Sequence, residues 1–223
     1  DINSKVVVRS AKKKGEGFSL NFLACNEYKY VYENSHEEVN VMRIGTYHSM
    51  DVMPVEDKWL ITREWYTDPF ADSMEADNIK AGEFKEYILN NSPRDFSDLN
   101  KRRLQAVEYA DRYCGAAGEE KYGFSYNKKY KNYNPMGGDC TNFASQILFE
   151  GGKFKKTSIW NYDKDASAAW VNAHSFKDFM LYSGRASLIS YGTYNKVFKS
   201  SYKLLPGDII AYEKKGKVKH ISV

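Results

Sequence analysis

The residues best suited to chemistry lie in one block, Gly137-Gly138-Asp139-Cys140-Thr141-Asn142-Phe143. Asp139 is of a type that caps helices. Behind it Phe143, Ala144, Ile147 and Leu148 recur at three-to-four spacing, and Gly151-Gly152 supplies a stop. The pattern predicts a helix with Cys140 in its first turn. There the positive end of the helix dipole favours a thiolate, bringing a cysteine down from an ordinary pKa of about 8.5 into the range where it attacks carbonyls near neutral pH. The Gly137-Gly138 pair, lacking side chains, admits a substrate carbonyl, and Gly138 and Asp139 support the approach to the sulfur. The backbone N–H of Cys140 is a donor for a developing oxyanion.

A thiolate that cleaves an amide needs a proton partner, because the departing amine must be protonated. The candidates are His36, His48, His174 and His220. His36 lies in a polar Asn-Ser-His-Glu-Glu turn and His48 in a strand-rich region, which suits surface or structural roles. His174 belongs to a helical stretch. His220 differs: Leu205-Pro206-Gly207-Asp208 leads into an apolar strand over residues 209–212, a charged turn containing glycine, and a second strand over 218–223. Strict alternation along that strand puts Val218, His220 and Ser222 on one face and Lys219, Ile221 and Val223 on the other. A lone strand histidine is ordinarily a satisfied, half-buried residue. Paired with a first-turn cysteine preceded by Gly-Gly-Asp, it becomes the expected general base, and the chemistry requires no metal or other cofactor.

The elements that must hold this pair follow from the rest of the pattern. Ser97 or Asp98 can cap a helix running to Cys114, with Leu104, Val107 and Ala110 on its apolar side and Gly115 as its stop. Upstream, short strands over residues 6–9, 18–24, 28–32, 39–44 and 59–66 predict an antiparallel sheet, followed by a helix over 74–90. The polar connector at 90–95 divides the chain into a sheet-plus-helix domain, residues 1–93, with a targeting or docking role, and a second domain, residues 94–223.

Composition excludes several classes. With 42% hydrophobic and 15% aromatic residues and only five prolines, the chain is not disordered. A net charge of +4, with lysines in short clusters interleaved with acids, demands no nucleic-acid partner and is compatible with an anionic surface such as a bacterial wall. No uninterrupted apolar stretch is long enough to span a bilayer, and the start at Asp1 shows no basic-then-apolar leader. Cys25 and Cys114 read as small buried hydrophobes, and three cysteines supply neither a disulfide framework nor metal-ligand spacing.

The block at 137–146, together with Ala106-Val107-Glu108-Tyr109-Ala110, Trp160, residues 167–170, and Pro206-Gly207-Asp208 leading to His220, resembles the putative amidase domain family of Gram-positive bacteria. That family is a branch of the papain-like superfamily, which includes the CHAP and NlpC-type wall hydrolases. The resemblance covers about residues 100 to 223. It implies an α+β protein whose C-terminal papain-like domain packs a central helix on an antiparallel sheet, incomplete at its C-terminal end. The preceding small α+β antiparallel-sheet domain loosely resembles cystatin or NTF-two-like modules.

By carry-over, Cys140 resembles the family's nucleophile and His220 its base. The implied substrate is an amide bond in peptidoglycan or its stem peptide, and the implied location is secreted or at the cell envelope. Papain-like sites add a polar residue that orients the imidazole from a following strand, here expected beyond Val223. NlpC-type enzymes draw a second oxyanion donor from a tyrosine upstream of the cysteine. Tyr126, Tyr130 and Tyr133 all qualify, with Tyr130 preferred. Trp160, Trp170 and Tyr133 are the expected lining of a substrate cleft. The competing reading is a catalytically inactive wall-binding or interaction protein on the same scaffold.

Overall fold

The computed structural model describes residues 1–32, 39–66, 81–92, 94–133, 136 and 138–223. The turn expected around His36, the first part of the helix expected from 74, and Pro93 and Gly137 lie outside the described residues. The fold is α+β. The chain forms two compact units: Asp1–Ile79 with Arg112–Tyr126, and Lys80–Asp111 with Asn127–Val223. Among the described residues, no helix is long and apolar enough to cross a membrane.

The first unit is a four-stranded antiparallel sheet in sequence order, β1 (Ile2–Lys14), β2 (Gly17–Tyr30), β3 (Asn40–Val55) and β4 (Lys58–Tyr66). The five short strands expected from the sequence are four long ones, because the polar residues read as breaks are satisfied across the ladder. Ser4 donates to Asn26 at 2.7 Å, and Arg43 pairs with Glu27 at 2.8 Å. His48 is stacked between Phe22 and Tyr66, with Nδ1 3.0 Å from Glu64 and Nε2 2.8 Å from Thr46, a structural role on the sheet.

Leu23 on β2 buries itself with Ala116 and Phe124. Gly45 on β3 lies against Ala116 so closely that an added methyl would meet main-chain atoms of Ala116 and Ala117. Backbone cannot swing aside as a side chain can. Gly45→Ala is therefore expected to destabilise this unit by about 1–3 kcal/mol, the usual cost of overpacking. Urea unfolding checks this, and a variant as stable as the parent contradicts it.

The second unit holds α1 (Ala81–Leu89), most of α2 (Lys101–Tyr113), α3 (Cys140–Gln146), α4 (Ala168–Val171), α5 (Ala173–Tyr182), α6 (Tyr194–Ser201) and the hairpin β5 (Ile210–Lys214) and β6 (Lys217–Ser222). The α2 helix starts later than expected. Its cap is Asn100, whose side-chain oxygen accepts the Arg103 N–H at 3.1 Å, rather than Ser97 or Asp98. It buries Ala106 and leaves Leu104 exposed, because Gly151 brings its backbone against Ala106 where any side chain would collide.

The α3 helix continues directly into one π-helical turn, Ile147–Gly151, so the expected stop at Gly151-Gly152 is kept. This run is buried on nearly every side. Ala144 and Leu148 join Trp160, Trp170, Phe176 of α5 and Ile221 of β6 in one core. Its polar residues are satisfied internally: Ser145 Oγ donates to the Trp170 carbonyl and accepts from Trp160 Nε1, and Gln146 accepts from Tyr109. A helix so enclosed holds whatever stands at its first turn in a fixed place.

Candidate active site

Cys140 opens α3, as the spacing predicts, but Asp139 does not cap in the expected way. No helix N–H bonds its side chain. Instead Asp139 Oδ1 accepts the Tyr133 N–H at 2.9 Å and the Asn142 amide at 2.9 Å, tying the incoming loop to the helix. Burial pushes this carboxyl up, and the two hydrogen bonds only partly offset that. Asn142 is itself buried. Its amide also donates to the Lys131 carbonyl at 3.1 Å, and its oxygen accepts Trp170 Nε1–H at 2.9 Å. Gly138 has φ +124°, a conformation suited to glycine, and the space where a side chain would stand is open.

The histidine is brought in by the hairpin. Its turn residues Lys215 and Gly216 both have positive φ, +53° and +74°, the two-residue geometry whose twist matches antiparallel strands. The pairing then slips: Tyr212 faces His220 while Glu213 faces Val218, leaving Lys219 as a bulge. The alternation expected for this strand is thereby corrected. Val218 and Ile221 are both buried, at 5% and 2% exposure, and His220 is parted from Val218's face. Bulges commonly re-aim a side chain beside a functional site.

This brings the His220 imidazole near enough to the Cys140 thiol for each to shift the other's titration. Burial pushes the thiol up, but the bonds from His220, from the Ile221 backbone N–H and from Thr141, whose oxygen is 3.7 Å from the sulfur, bring it down to about 7. The same contact pushes His220 up against the opposing effect of burial. The opposite shifts are those of a thiolate and an imidazolium stabilising each other. By contrast, burial pushes the Cys25 thiol up.

Other expected site residues stand elsewhere. Tyr130 donates to Glu150 at 2.9 Å, and burial and that carboxylate push its hydroxyl well up. Glu150 lies in the π-helical turn at the far end of the run that Cys140 begins. The oxyanion role expected of Tyr130 is therefore corrected to a structural one. Tyr126 belongs to the first unit, packed on Gly115. Trp160 and Trp170 are both at 0% exposure and stacked 4.8 Å apart, so neither lines a substrate cleft; they are core. Tyr133 stays partly accessible and donates to Asp165 at 3.1 Å, and burial with that bond pushes its hydroxyl up to about 12.

Residues that sequence reasoning missed include Thr141 and the Ile221 backbone at the sulfur, and Tyr212, whose ring flanks His220 at 5.5 Å. Cross-strand pairing with His220 was the signal for Tyr212.

A family model described as a putative amidase domain matches residues 100–223. Among curated proteins, the uncharacterized protein YhbB of Bacillus subtilis is 33% identical over 126 residues, covering 51% of this chain and 33% of that protein. The uncharacterized protein YjcM of the same bacterium is 35% identical over 107 residues, covering 48% of this chain and 23% of that one. The matched region thus spans a third or less of these relatives' lengths. No solved structure matches.

Proposed function

Because this chain belongs to the putative amidase domain family, we propose that it is a cysteine amidohydrolase with a papain-like site, acting on an amide bond of peptidoglycan or its stem peptide at the cell envelope. The family points to hydrolysis of amides. The contact of Cys140 with His220, with the thiol brought down to about 7 and the imidazole raised, carries the cysteine mechanism.

In this reading the Cys140 thiolate adds to the amide carbon, and the carbonyl electrons move to oxygen, where the Cys140 N–H donates to them. Collapse breaks the C–N bond as imidazolium His220 hands its proton to the leaving nitrogen, leaving a thioester and a neutral imidazole. Water, deprotonated by His220, then displaces the thiolate and the acid is released. Gly138 leaves the approach to the sulfur open, and Asp139 and Asn142 hold the loop before it. The wall as substrate rests on the resemblance to wall hydrolases and on a net charge of +4 that suits an anionic polymer.

Two measurements test it together. Purified peptidoglycan incubated with the protein should release new amino groups, and one equivalent of iodoacetamide placed on Cys140 should stop that release. Alkylation of Cys140 should titrate with a midpoint at about 7. A midpoint near the ordinary thiol value of about 8.5, with no release of amino groups, favours the inactive wall-binding protein instead.

A further inference from the structure

The base of the proposed pair is held by a second histidine. The imidazole of His174 on α5 accepts the Val218 N–H on Nδ1 at 3.3 Å, and its Nε2 lies 3.6 Å from Asp178. Val218 is a buried strand residue directly before the Lys219 bulge, and two positions before His220. Its N–H is paired through the ring of His174. An edge N–H without an acceptor leaves a strand free to slip its register, and one step of slip would turn His220 away from the sulfur.

We propose that His174 is a positioning residue: its Nδ1, by accepting the Val218 N–H, locks the bulge that aims His220 at Cys140. The idea rests on the proposed Cys140–His220 pair, although not on any particular substrate. With Nδ1 as acceptor, the neutral ring carries its proton on Nε2, facing Asp178, which is in turn paired with Lys177. A proton on Nδ1 sets a donor against the Val218 donor, and the contact is lost. Of the elements packed against α5, β6 carries Lys217, Lys219 and His220, α3 carries Cys140, and α4 has no ionisable side chain.

The reactivity of Cys140 toward iodoacetamide across pH, read at that residue by peptide mass spectrometry, tests this without any amide substrate. His174→Asn places an amide oxygen near the position of Nδ1 and cannot take up a proton. It should match the parent.

His174→Ala, with no acceptor, should react about fivefold more slowly at pH 7, the drop that follows from a one-unit rise of the thiol midpoint. Asn and Ala variants that both titrate like the parent, or an Asn variant as slow as the Ala one, overturn the proposal. In the unmutated protein, nitrogen NMR of the ring should show the Nε2–H tautomer at pH 8, and the Nδ1–H tautomer overturns it as well. Loss of either result leaves wall hydrolysis standing, and absence of wall hydrolysis leaves these readouts intact.

Discussion

Cys140→Ala should abolish the release of amino groups from peptidoglycan, a loss of about three orders of magnitude or more, as for other nucleophiles that form the covalent bond themselves. Serine is not a rescue, because a hydroxyl beside His220 is far too weak an acid to form the resting ion pair that a thiol at about 7 forms. His220→Ala separates two contributions. Without the imidazole the thiol should return toward about 8.5, which at pH 7 leaves roughly one part in thirty as thiolate against about half in the parent. That accounts for little more than a factor of about fifteen. Loss of the proton donor to the leaving nitrogen should account for about a further 10²–10⁴.

The pH profile follows from the same shifts. Activity should rise as the pair loses its first proton and fall when the imidazolium, raised by the thiolate, loses its own. The two limbs belong to the pair and not to either residue alone. Amino-group release measured on both variants, and Cys140 alkylation measured on the parent and on His220→Ala, check this. Full hydrolysis by Cys140→Ala would end the mechanism.

The local parts of this site are legible in the sequence because each has a short-range cause. Helical spacing behind Cys140 and the glycine stop place the thiol at a helix start, and two apolar runs about a charged glycine turn place His220 on a hairpin. What the sequence does not carry is how elements meet. The Lys219 bulge depends on Val218 and Ile221 both being drawn into a core shared with α3 and α5, and nothing in a run of alternating residues announces which alternation will slip. Its place upstream of the cysteine marks Tyr130 as an oxyanion donor, yet the partner that its hydroxyl meets, Glu150, lies at the other end of a helix. Tryptophan suits a cleft wall as well as a core, and only the enclosing aromatic rings assign Trp160 and Trp170 to the core.

Those rings carry the other large expected effect. Trp170 is enclosed by Trp160, Tyr130, Phe149 and Tyr162, with ring centroids 4.8 to 6.0 Å away. Trp170→Ala should therefore cost about 3–5 kcal/mol, a large part of the roughly 5–15 kcal/mol by which a domain is usually stable. The substitution to phenylalanine is more informative, because it keeps an aromatic ring in the cluster and removes the Nε1–H that Asn142 accepts at 2.9 Å.

An oxygen left unpaired in a buried site costs about 1–3 kcal/mol, so Trp170→Phe should fall clearly between parent and alanine in urea unfolding. The same side chain of Asn142 holds Asp139 and Lys131. Loosening it should reach the loop that leads into Cys140, and the phenylalanine variant should alkylate there more slowly than its stability at pH 7 alone would explain. A phenylalanine variant with the parent's stability and the parent's thiol reactivity would show that the indole nitrogen plays no part, and that the tryptophan acts through its bulk.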